Sequence, residues 1–111
     1  MHIKIEKKAL LEAIQKLEAK KPIGKAKKTY LKGNAVISLA DKTAILQLDT
    51  AKVTVPADGV WDGFVSFPFQ IAIALLKIPP KSEVITFEYL EGSLRIGPLK
   101  LSASHTTNLS V

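Results

Sequence analysis

The segment FVSFPFQIAIALLKIPP, Phe64–Pro80, decides how the chain is read. Val65 and Phe67 alternate with Ser66, the period of a strand with one buried face. The spacing then changes to that of a helix over Pro68–Lys77, with proline in the first turn, where its missing N–H costs nothing. Pro79 and Pro80 stop the helix. Its outward stripe holds only Gln70, Ala74 and Lys77, with Phe69 and Ile71 on the flanks. So little charge implies a helix covered on several sides, or one that offers Phe69 and Ile71 to another subunit or partner.

The first seventeen residues carry the same pattern. Ile3 and Ile5 alternate with Lys4 as Val65 and Phe67 alternate with Ser66. Leu10, Leu11, Ala13 and Ile14 then match Ala72, Ile73, Leu75 and Leu76 at a constant offset of 62 residues. Pro22 follows the first helix as Pro79 follows the second. Short runs rich in Val, Ile, Leu and Thr come after each: 35–39, 44–48 and 52–55 in the first half, 84–89, 93–96 and 99–103 in the second. Asp41-Lys42, Asp49-Thr50, Glu91-Gly92 and Gly97-Pro98 supply the turns. Trp61 sits in a linker between Pro56 and Gly63. The chain therefore reads as strand, helix and three strands, stated twice: an α+β domain over 1–111 with half-repeats of about 1–59 and 60–104. The tail, 105–111, carries no readable pattern.

A chain of 111 residues, 47% hydrophobic and 23% charged, is composed like one globular domain. Its net charge of +6 is unevenly placed. Residues 1–33 hold ten lysines against Glu6, Glu12 and Glu18, whereas residues 34–111 hold five lysines and Arg95 against seven acids. The excess is concentrated in KLEAKKPIGKAKK, Lys16–Lys28. Such a segment either keeps a loop solvated or attracts a polyanion. With arginine almost absent, nucleic-acid binding here would track the phosphate backbone and ignore sequence.

Chemistry is hard to find in these residues. There is no cysteine, hence no thiolate zinc site and no cysteine nucleophile, which suits a reducing cytoplasm. The longest apolar run is too short and too interrupted for a bilayer crossing. His2 and His105 are remote in sequence, Ser102 and Ser104 lie in no nucleophile elbow, and the acids fall mostly in turns. An enzyme, a metal site and a cofactor are not expected.

The stretches IKIEKKALLEAIQKL, NAVISLADKTAILQLDTAKVTVPADG and FVSFPFQIAIALLKIPPKSEVITFEYLEGSLRIGPLKLSAS together resemble one domain of the bacterial DNA sliding clamp, the beta subunit of the replicative polymerase. The resemblance covers nearly the whole chain. It implies two βαβββ halves related by a pseudo-twofold axis, with both helices on one side of curved antiparallel sheets. It also implies a role for that side, which in clamps faces DNA. Lys8, Lys16 and Lys77 would point to the duplex, with Lys20, Lys21, Lys25, Lys27 and Lys28 near its backbone. A clamp chain holds three such domains, so a closed ring of single domains needs about six copies, joined by strand edges. Two functions are compatible with this resemblance. The first is a homo-oligomer that tethers itself to DNA without reading sequence. The second is an interaction module that pairs with a clamp or replication factor through a strand edge or the Phe69–Ile71 flank.

Overall fold

The computed structural model describes residues 1–24 and 26–107, with Ala26 and Lys27 described by their backbone. Ile3 and Ile5 bury one face of β1 (His2–Glu6), which runs without a break into α1 (Lys7–Ala19). A short α2 (Ala26–Leu31) follows, then β2 (Asn34–Ala40), β3 (Thr43–Leu48), β4 (Ala51–Pro56) and β5 (Asp58–Val60). The second half repeats the order with β6 (Phe64–Pro68), α3 (Phe69–Lys77), β7 (Val84–Leu90), β8 (Ser93–Ile96), β9 (Leu99–Ser102) and β10 (Ser104–Thr106). This is the expected α+β fold.

The strands form two antiparallel five-stranded sheets, ordered β5-β1-β7-β8-β9 and β10-β6-β2-β3-β4. Each half therefore gives its first strand to the sheet of the other. Ile3 stands opposite Phe87, and Val65 opposite Ile37. The helix starts are held the same way. Neither helix has a side-chain cap. Instead the Lys7 N–H donates to the Glu83 carbonyl at 2.7 Å, and the Phe69 N–H donates to the Gly33 carbonyl at 3.0 Å. In both cases an orphan donor of the first helical turn is satisfied by the residue that leads into the other half's sheet.

The turns repeat too. Asp41 and Lys42 (φ 45° and 60°) and Glu91 and Gly92 (φ 47° and 82°) make two-residue hairpins with both residues left-handed, the twist that suits antiparallel strands. β4 and β5 are separated only by Ala57, and β9 and β10 only by Ala103. At each alanine the chain leaves one sheet and joins the other. The Ala57 N–H donates to the Lys42 carbonyl and the Ala103 N–H to the Gly92 carbonyl, each at 2.9 Å, so each crossing is tied to a hairpin turn.

Between the sheets and helices lies one apolar core. α1 contributes Leu10, Ala13, Ile14 and Leu17, and α3 contributes Phe69, Ala72 and Leu75. Phe67 and Phe87, one from each sheet, meet with ring centroids 6.3 Å apart and planes tilted by 56°, an arrangement worth about 1 kcal/mol beyond area burial. α1 and α3 lie against each other, and α1 also rests on β4 and touches β3 and β7.

Three readings of the sequence are corrected. The lysine-rich connection after α1 is not all loop, because it contains α2. The linker around Trp61 begins in β5, and the tail from residue 105 begins inside β10; residues 108–111 lie outside the described residues. Each half thus carries a fifth strand, added beside its own first strand: β5 on β1 and β10 on β6. Three residues are too few to show alternation. Gly59 marks the tight fit. A Cβ built there would stand 2.1 Å from the His2 carbonyl oxygen, at a φ of 154°. Gly59→Ala should cost about 1–3 kcal/mol of unfolding free energy in urea titration. Gly92→Ala, at a left-handed turn position with open space around it, should cost less, about 1 kcal/mol.

Candidate nucleic-acid interface

Most of the basic residues expected to meet DNA lie on the helices or in the connection after α1. On α1 the apolar stripe turns inward, leaving Lys8, Glu12, Gln15 and Lys16 exposed. Glu12 stands one turn from both Lys8 and Lys16 and offsets part of their charge. Lys20, at the end of α1, and Lys28 and Lys32, in and after α2, are exposed as well. Lys32 was not among the expected contacts; its place in the basic run 1–33 was the signal. Lys21 is half-buried and ion-paired with Glu18, which spends part of its charge. Lys25 lies outside the described residues, and of Lys27 only the backbone is described. Lys77 is exposed in the last turn of α3. Lys16, Lys28 and Lys77 all sit in last turns, where a cation also favours the helix dipole.

α2 is anchored to α1 by Tyr30. Its hydroxyl, buried, donates at 2.6 Å to the Leu17 carbonyl, which also accepts the Lys20 N–H at the end of α1. Burial pushes the Tyr30 phenol above its ordinary value, and the carboxylates of Asp49 and Glu18 push it the same way. This contact positions Lys28 and Lys32 beside the end of α1.

α3 differs. The 62-residue offset places Gln70 and Ala74 where α1 has Lys8 and Glu12, so the second helix carries little charge on its outer face. Ile71 is half-buried at the margin of the core. Phe69 is a correction: it is 0% exposed and belongs to the core, so it is no contact for a subunit or partner. The strand's alternation runs on through Val65, Phe67 and Phe69, all buried, before the helical period begins at Ala72. The hydrogen bond from the Phe69 N–H to Gly33 holds the first helical residue in that inward orientation.

A groove of about 650 Å³ opens between the end of α1, α2 and α3, lined among others by Leu31, Ile73, Ala74 and Leu76, with Lys21 and Lys77 beside it. Elsewhere, the His105 ring lies 5.5 Å from that of Tyr89, and its Nε2 is 2.7 Å from the Asp62 carbonyl oxygen, an arrangement that secures β10. Among the described residues no three His, Asp or Glu side chains come together as a metal site, and no helix is long and apolar enough to cross a membrane.

Solved structures similar to this chain include DNA polymerase III beta subunits of several bacteria. The chain superposes on the DNA polymerase III subunit beta of Pseudomonas aeruginosa with a TM-score of 0.67 at 18% identity, covering 96% of this chain and 30% of that one. For the Caulobacter crescentus pol III beta the values are 0.70 and 12%, covering 100% and 32%. For the Bartonella birtlesii DnaN sliding clamp bound to griselimycin they are 0.62 and 12%, covering 95% and 29%. The chain thus spans about a third of the clamp chains it matches. At these identities the likeness shows the fold: that of one sliding-clamp domain. No family profile and no curated protein matches the sequence.

Tyr30→Phe removes the bond that docks α2 and should lower stability by about 1 kcal/mol at neutral pH. Because the folded state raises the phenol's pKa above 10.0, the hydroxyl's contribution is fully present below pH 10 and is lost as pH rises further. Thermal melts of both proteins between pH 8 and 11.5 should show the wild-type advantage disappearing only above pH 10.

Proposed function

We propose that the protein is a non-enzymatic, sliding-clamp-like module that associates with duplex DNA through the phosphate backbone and works as a homo-oligomer in the cytoplasm. The observation that carries this reading is the set of exposed lysines Lys8, Lys16, Lys20, Lys28 and Lys32 on α1, α2 and their connections, on a fold shared with replication clamps. Lys25, Lys27 and Lys77 add to the same field, and Lys21 contributes what its pairing with Glu18 leaves. Lysines present strongly hydrated point charges on flexible stems, which suits contact with any phosphate and selection of no base. Oligomerisation would use the strands that end each sheet. β9 ends one sheet and β4 the other, and among the described residues each has one edge with no strand paired to it.

A second reading has a specific observation in its favour. Both of these edge strands carry an outward lysine, Lys52 on β4 and Lys100 on β9. Pairing β4 of one copy with β9 of another places the two ammonium groups on one face, and edge lysines oppose indiscriminate pairing. An acidic edge in a different replication protein would match either strand, which supports an interaction module that joins a clamp or replication factor.

Two measurements separate the readings. Duplex DNA affinity, measured by fluorescence anisotropy, should fall with a log–log salt slope of about −4 to −5, as expected for four to six phosphate contacts. The triple variant Lys16→Ala, Lys20→Ala, Lys28→Ala should reduce that slope by about 3. Light scattering over a concentration series should show a mass of several chains. A persistent monomer with salt-insensitive or undetectable DNA binding overturns the first reading.

A further inference from the structure

The two halves differ most in the connections that leave their helices. The α1–β2 connection carries α2, whereas the α3–β7 connection, 78–83, has no helix. Tyr30 pins α2 to the end of α1, and this places Leu31 across from α3. The groove beside α3 exists because of that addition. Its walls are mainly aliphatic, formed by Leu31, Ile73, Ala74 and Leu76; Gln70, Lys77 and the ion-paired Glu18 and Lys21 complete the lining, so Lys77 is its one lining cation without an ion-pair partner among the described residues. Ala74 and Lys77 are exposed, and Ile73 and Leu76 are half-buried.

We propose that this groove is a docking site for an acidic, amphipathic peptide segment of a partner protein. Charge complementarity selects the occupant. Lys77 has no acid among the described residues bridging it. Outside the lining, exposed Lys20 follows α1 next to Lys21, and exposed Lys28 and Lys32 lie one turn before and directly after Leu31, so carboxylates on the segment approach a basic neighbourhood. Apolar side chains at i, i+3 and i+4 would seat on Ile73, Ala74, Leu76 and Leu31 in the manner of a helix laid in a groove. A sugar–phosphate backbone would satisfy the lysines but leave the aliphatic walls unfilled. The assignment stands apart from the DNA reading, because the apolar walls carry it, and either one can fail alone.

The test begins with a displayed library of random peptides of about 16 residues selected on the intact protein. Enriched sequences should combine Asp or Glu with large apolar residues at helical spacing. A synthetic, fluorescein-labelled peptide from that set should bind saturably. Ala74→Trp fills the groove from an exposed position and should weaken binding at least about tenfold, with the melting temperature unchanged. Lys77→Glu, a surface change that no packing depends on, should weaken it by a similar factor. Absence of acidic–apolar enrichment overturns the proposal, and so does binding that ignores both variants. If no peptide is enriched and Ala74→Trp instead cuts the affinity for a duplex oligonucleotide, the groove is part of the nucleic-acid surface and the proposal falls.

Discussion

The fold rests on an exchange of strands between its halves. β1 leaves the first half to pair with β7, and β6 leaves the second to pair with β2. Neither half can complete a sheet alone: one edge of each first strand pairs within its own half, and the backbone polar groups of the other edge find partners only when both halves are present. The helices follow directly from these strands without caps, and their first N–H groups donate to Glu83 and Gly33, carbonyls at the entrances of the exchanged sheets. Strand pairing and helix entry are therefore one event. It brings α1 and α3 together and leaves their remaining faces open, which is why whatever the helices carry is displayed on the same surface.

On this symmetric frame the decoration is unequal. The first half places charge on its helix and adds α2, with Lys28 and Lys32 beside it; the second half replaces those charges with Gln70 and Ala74. Symmetry of the backbone is maintained by buried residues and turn conformations, which packing constrains tightly. Exposed positions on α1 and α3 face no such constraint, so one half can carry a basic surface while the other contributes an aliphatic groove wall. Tyr30 links the two, since the bond that docks α2 positions both the lysines and Leu31.

Much of this was legible in the residues. The 62-residue repeat, both long helices, the six longer strands after them and the hairpin turns come from period and from Gly, Pro and Asp placement, and the structure has them within a residue or two. Local physics sets these features: alternation and helical spacing report which side of an element is buried, and turn residues report where the chain reverses. The concentration of lysine before residue 34 was equally plain.

Other features needed the tertiary structure. Phe69 read as the flank of a helix, and only the bond to Gly33 and the continuing strand alternation show that it turns into the core. β5 and β10 exist because β1 and β6 offer them an edge, and three residues such as Asp58–Val60 carry no periodic signal of their own. α2, six residues long, is too short to be stable by propensity and is held by the buried Tyr30 hydroxyl. Sequence by itself thus determined the longer elements, their repetition and the sign of the surface charge, because these depend on residues near one another in the chain. Which strand joins which sheet, which aromatic is buried, and where a groove opens depended on contacts between residues far apart in sequence, and those are decided only when the whole chain has folded.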